Sequence, residues 1–214
     1  FHMTRLLNGI VAFGSALLLA VTLIGAGFAA VAIPDAATAT LSRAFSGCDQ
    51  PNTPFTADEL ASMAIAGKHY TFDDNDREKL DTAIAEANAA AEADGRATAS
   101  TRESAARSLP ADAISHLDDV YRVASVAKPA LVIVAVLCIA GLAHVAVRIS
   151  RRALGLTLMA GGGLVLASFC ALGAWAAIDF DGLFAAFHSL FFQAGTWTFP
   201  YDSLLITLYP TAFW

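Results

Sequence analysis

Two histidines stand out by their company. His188 lies in the run Phe187-His188-Ser189-Leu190-Phe191-Phe192, an imidazole set among aromatic rings. His116 opens the run His116-Leu117-Asp118-Asp119-Val120, with a carboxylate three residues on. An imidazole, with an ordinary pKa of about 6.5, is the side chain best matched to accepting or donating a proton near neutrality. Residues three apart are neighbours on a helix. Asp119 is therefore placed to hold the His116 ring in one tautomer and to raise its basicity. The plainer reading of each histidine is a structural residue satisfied within its own helix. His69, in a polar segment, and His144, near the end of an apolar run, carry only that plainer reading.

The elements that must position these rings follow from periodicity. Phe180, Phe184, Phe187 and Phe191 recur at i, i+4, i+7 and i+11, the stripe of a short amphipathic helix. Asp179 or Asp181 can cap its start, and Gln193-Ala194-Gly195 can end it. Such a helix suits the lipid headgroup boundary, where amphipathic rings are favoured over both water and hydrocarbon. Asp181 and Asp202 are further carboxylates near His188 in sequence, and Trp197 and Tyr201 are suited to anchoring at the interface.

The chain is 214 residues long, 57% apolar, with a mean hydropathy of +0.58, values that belong to a membrane protein. The fold expected is all-α, an integral membrane bundle. Residues 3–33 form a first span, 128–147 a second and 154–178 a third, each long enough to cross a hydrocarbon core of about 30 Å. A cleaved signal peptide competes for the first run, which exceeds the usual signal core. The region 34–127 is polar and reads as helical hairpins and loops, 148–153 is a short basic turn, and 179–202 holds the aromatic helix and a loop. Residues 203–214 read as the start of a fourth span, incomplete here, or as a tail in the interface. Arg5, Arg148, Arg151 and Arg152 flank the first span and the turn, whereas the acids fall in the other two connections. The positive-inside rule then places that turn in the cytoplasm and both 34–127 and 179–202 outside. Cys48, Cys138 and Cys170 form no disulfide framework and no metal spacing.

Within the polar region, Thr56-Ala57-Asp58-Glu59 is a capping-box pattern opening a helix that Gly67 would stop. Leu80, Ile84, Ala87 and Ala91 mark a second helix closed by Gly95. Residues 98–108 read as linker. Pro110 then begins a third helix, ending before Pro129, with Ile114, Leu117 and Tyr121 on one face. In the third span Gly161-Gly162-Gly163 and Ser168 permit a neighbouring helix to approach closely.

His116-Leu-Asp-Asp119-Val120 resembles an H-x-x-D-V signature before a second span. Phe187-His188-Ser-Leu-Phe191-Phe192, followed by Trp197, Asp202 and Pro210 to Phe213, resembles an F-H-x-x-F-F…W…D…P-x-x-F signature after a third. These belong to the bacterial lipoprotein intramolecular transacylases, four-span proteins of the cytoplasmic membrane. The departures are the unfinished fourth helix and the Ala-rich first loop, which has no motif to align.

The resemblance implies that an acyl chain moves from the sn-2 oxygen of a diacylated bacterial lipoprotein to the α-amine of its own N-terminal cysteine. It implies His116 and His188 as the proton-transferring pair, near one another at the outer membrane surface and with roles unassigned; an acyl-histidine route stays open. Asp119, Asp181, Asp202 and Trp197 would support them. Phe184, Phe187, Phe191 and Phe192 would line the path of the acyl chains. No cofactor, metal or nucleic acid is called for; membrane lipid is the medium. Two other classes stand beside this reading. One is a metal-dependent membrane hydrolase using His116, His188 and Asp119 or Asp181. The other is a non-enzymatic envelope protein whose outer region binds a partner.

Overall fold

A computed structural model describes residues 2–97 and 107–214; most of the expected linker, 98–106, lies outside the described residues. Among the described residues every regular element is helical. They are α1 (His2–Ala32), α2 (Asp35–Phe45), α3 (Ala57–Phe72), α4 (Arg77–Ala93), α5 (Ala111–His144), α6 (Arg151–Ile178), α7 (Phe180–Phe191) and α8 (Leu204–Leu208). A π-helical turn, Val145–Ile149, ends α5, and a 3₁₀ turn, Thr211–Phe213, follows α8. The chain forms two compact units.

The first unit takes residues 1–30 and 126–190. Three stretches are long and apolar enough to cross a membrane: Met3–Ala32, Ala111–Ile149 and Arg151–Ile178. In the most apolar window of each, at most 17% of residues are buried by protein, so Ile10, Phe13, Ile133, Ile139, Met159 and Phe169 present apolar side chains outward. What holds these helices together is small residues. A methyl added at Gly25 would meet the Leu131 side chain at 2.7 Å, and Gly141 backs directly onto Ser15. Those two contacts are ten residues apart on both helices and in opposite order, so α1 and α5 run antiparallel. Gly161 of α6 faces α1, where an added methyl would lie 2.7 Å from Leu19 and 3.0 Å from the Ala16 carbonyl oxygen. Of the triple glycine only Gly161 has this role; Gly162 and Gly163 face open space.

The second unit takes residues 31–125 and 191–214. Its core gathers Leu60, Met63, Leu80, Ile84, Ile114 and Leu117 from α3, α4 and α5. Leu204, Leu205 and Leu208 of α8 complete it. The capping box forms as the sequence pattern predicts: Thr56 Oγ1 accepts from Glu59 N–H, and Glu59 accepts from Thr56 N–H. Arg96 also donates to both Glu59 carboxylate oxygens, at 2.9 and 2.7 Å, and holds that carboxyl below its usual range. Gly95, at φ +68°, takes the left-handed conformation after α4, where a glycine is easiest.

Two expectations, at Gly67 and at Pro129, change. Gly67 does not stop α3, which runs on to Phe72. Its missing side chain instead makes room for the Tyr209 hydroxyl, which donates to the Ala64 carbonyl at 2.8 Å. Asp35–Phe45 adds a helix within the region expected to be helical hairpins and loops. The third helix and the second span are one helix that passes through Pro129, because a single proline removes one backbone bond and the flanking turns carry the helix on. Residues 203–214, expected as the start of a fourth span or a tail in the interface, hold a short helix and a 3₁₀ turn. Leu204–Leu208 is one short helix capped by Ser203, inside the core of the second unit. Ser46 Oγ donates to Leu208 O at 2.6 Å, and Gly47 N–H to Thr207 O at 2.8 Å.

Replacing Gly161 by alanine is expected to lower the thermal midpoint of the purified protein, because the new methyl meets a backbone carbonyl that cannot move cheaply; the cost is about 1–3 kcal/mol. Gly162→Ala, in open space, is expected to be neutral or slightly stabilising through helix propensity. Equal effects of the two in a detergent melting series would contradict the packing assigned to Gly161.

Candidate functional site

His188 belongs to the first unit and His116 to the second. Their settings are built differently.

His188 rides on α7, where Asp179 caps the start: its Oδ1 accepts from Gly182 N–H at 2.9 Å, so Asp179, and not Asp181, closes the first turn. Asp181 is exposed. No residue of α7 is fully buried, and its aromatic stripe is only half covered. His188 stacks on Phe184, centroids 3.9 Å apart, and meets Phe187 edge-on at 5.7 Å; Phe184 stacks in turn on Phe180. One hydrogen bond fixes the chemistry of the ring. His188 Nδ1 lies 2.9 Å from the Phe184 carbonyl oxygen, one turn back. A carbonyl only accepts, so Nδ1 carries the proton, and in the neutral ring the basic lone pair is on Nε2. Burial lowers the pKa from the ordinary 6.5, and the bond to Phe184 O opposes that only in part.

His116 lies on the first half of α5 and is 8% exposed. Phe192 meets its ring edge-on at 4.9 Å, and Phe199 lies against it at 5.5 Å, tilted by 49°. Both carboxylates that follow it have other partners. Asp118 accepts from the buried Tyr70 hydroxyl at 2.5 Å, and burial followed by this carboxylate pushes the phenol up to about 12. Asp119 accepts from Arg122 Nη1 at 2.7 Å, again three residues on. The carboxylate expected to orient His116 thus pairs with a guanidinium. This ion pair forms one wall of a half-open cleft of about 360 Å³, with Val123, Phe191, Phe192, Gln193 and Thr196 completing it. Trp197 is half-buried and Asp202 exposed in the turn before Ser203.

Of the four phenylalanines expected to line the path of the acyl chains, Phe184 and Phe187 lie about His188, and Phe191 and Phe192 line the cleft. Sequence reasoning missed Phe199 and Arg122. Phe199 stands in an aromatic-rich loop without periodicity, and Arg122 is one more helix-surface charge; only packing singles them out.

Among the described residues, no three His, Cys, Asp or Glu side chains gather as metal ligands. The family model for the lipoprotein intramolecular transacylase Lit matches residues 88–214. The chain belongs to this family. Neither a curated protein nor a solved structure matches it. The matched part of the chain runs from α4 through α8 and contains His116, His188, their aromatic neighbours and the cleft. As a family member with three apolar helices of membrane-crossing length, it is a multi-pass membrane protein.

Because its folded-state pKa is lowered, His188 favours the neutral ring on folding. Its contribution to stability is full above pH about 6.5 and is lost as the pH falls through the folded midpoint. Histidine-labelled ¹⁵N spectra of the protein in detergent are expected to show His188 titrating below 6.5, with the neutral ring protonated at Nδ1. A midpoint at or above 6.5, or an Nε2-protonated ring, would overturn this assignment.

Proposed function

We propose that this protein moves the sn-2 acyl chain of a diacylated bacterial lipoprotein to the α-amine of the same molecule's N-terminal cysteine, leaving an N-acyl lyso-lipoprotein. The family membership supplies the reaction class. The observation that carries the residue assignment is the His188 Nδ1 bond to Phe184 O, which makes Nε2 the basic nitrogen on an aromatic helix.

An α-amine has a pKa of about 7.7–8.0, so near neutrality it must shed a proton to attack. The ammonium form first releases its extra proton to solvent; in the proposed step the neutral amine attacks the ester carbonyl carbon and His188 Nε2 takes one N–H proton from the nitrogen as the new bond forms. The tetrahedral oxyanion then collapses, the bond from carbon to the sn-2 oxygen breaks, and that oxygen receives a proton. This second transfer is assigned to His116. Donor and acceptor groups belong to one substrate molecule, so holding them in reacting geometry replaces an encounter with an intramolecular step.

The acyl chains stay in lipid while the glyceryl-cysteine head meets the imidazoles, since exposing a chain to water costs about 0.8 kcal/mol per CH₂. Phe184, Phe187, Phe191 and Phe192 supply apolar surface for those chains. Asp119 acts through its pairing with Arg122 at the cleft. Asp181, Asp202 and Trp197 are assigned supporting places only. The reaction is placed at the extracytoplasmic face of the cytoplasmic membrane, on the strength of the charge asymmetry between Arg5 with the 148–152 turn and the acidic first loop.

His188→Ala and His116→Ala are each expected to abolish acyl transfer while the protein still inserts. Asp119→Ala should lose less, and Phe191→Ala should mainly weaken substrate binding. Mass spectrometry of the N-terminus of a co-expressed lipoprotein reads all four; normal N-acyl lyso product from His188→Ala at matched expression would remove that residue from the mechanism. The topology has its own check. Cys48 is exposed, and an impermeant thiol reagent is expected to label it in intact spheroplasts. Labelling only after lysis would reverse the orientation.

A further inference from the structure

We propose that the turn joining α5 to α6 is a binding site for the phosphate-bearing headgroup of an anionic membrane lipid, gripped by Arg148, Arg151 and Arg152. The reasoning starts from charge partners. In the second unit every described arginine and lysine pairs with a carboxylate, from Arg43 with Asp58 to Arg122 with Asp119. Around Arg148, Arg151 and Arg152 of the first unit the sequence offers no carboxylate. No Asp or Glu occurs in residues 1–34 or 120–178, so that unit's only carboxylates are Asp179 and Asp181. Those two follow the end of α6, a 28-residue helix, and so lie about 42 Å along its axis from Arg151. Arg148, Arg151 and Arg152 are all exposed.

The local backbone gathers them. Val145–Ile149 closes α5 as a π-turn, and Ser150 alone separates it from α6, its backbone N–H donating to Val145 O and its Oγ accepting from Ala153 N–H. Three guanidinium groups are thus confined to five residues, at the point where one membrane-crossing helix ends and the next begins. The antiparallel contacts of α1 with α5, Gly25 to Leu131 and Ser15 to Gly141, carry the same register on to bring Arg5 level with this turn. The anion that such a site meets at a membrane boundary is the lipid phosphate, which a planar guanidinium fork binds in two-point fashion. Orientation during insertion needs only the charge; a phosphate site also needs the fork. That difference separates the two roles experimentally.

The test uses the purified full chain, stripped of lipid in mild detergent and examined by native mass spectrometry, so that cellular orientation does not enter. Phosphatidylglycerol is expected to be retained at least tenfold over phosphatidylcholine. R148Q/R151Q/R152Q should lose that preference, and R148K/R151K/R152K, with the same charge, should keep only part of it. Each single glutamine variant is expected to weaken retention about two- to threefold, which keeps the test available if the triple variant does not purify folded. Equal retention of the two lipids, or an unchanged preference in the glutamine variants, would overturn the site. Displacement of the lipid by millimolar inorganic phosphate would show a soluble-anion site and overturn the lipid assignment.

Discussion

A helix that crosses lipid satisfies its backbone internally, but it has no hydrophobic drive toward its neighbour, because lipid tails are as apolar as leucine. The first unit depends on that constraint. Its helices meet where Gly25, Gly141 and Gly161 let side chains and backbone approach, and Ser15, Ala16, Ala20 and Cys138 are buried there while larger apolar residues face outward. Contact is made by shape. The large residues are then left for lipid, and the polar residues collect at the helix ends.

The second unit obeys the opposite rule. It is built as a water-soluble domain is, with Met63, Leu80, Leu204 and Leu208 almost wholly buried and an ion pair for each described basic residue. The C-terminal segment is an integral part of this core. Its leucines fill the centre, its Tyr209 reaches the α3 backbone, and its carbonyls accept from Ser46 and Gly47. Loss of these residues would open the core against which α5 packs through Ile114 and Leu117, two neighbours of His116.

The two histidines reflect these two kinds of packing. His188 is oriented by its own helix, through a carbonyl one turn back and the rings of Phe184 and Phe187, so its tautomer is set locally. His116 is oriented by tertiary neighbours, Phe192 and Phe199, which come from a segment more than 70 residues away in sequence. A local change on α7 should therefore perturb His188 directly. His116 answers instead to the integrity of the whole second unit.

The sequence by itself determined the helical class, the three apolar runs, the capping box at Thr56, the α7 stripe and the candidate histidines, because each is a local or periodic property of the chain. Its errors share a cause. Gly67 and Pro129 have intrinsic preferences that favour ending a helix, yet one is used for the close approach of Tyr209 and the other is carried by a long helix around it. Hydropathy does not distinguish a lipid-facing run from one buried among protein, and Leu204, Leu205 and Leu208 lie in the protein core. The same limit hid the partners of the site. That Asp119 pairs with Arg122 and that Phe199 lies against His116 are matters of which residues meet in the fold. Spacing along a chain carries no record of that; tertiary packing decided it.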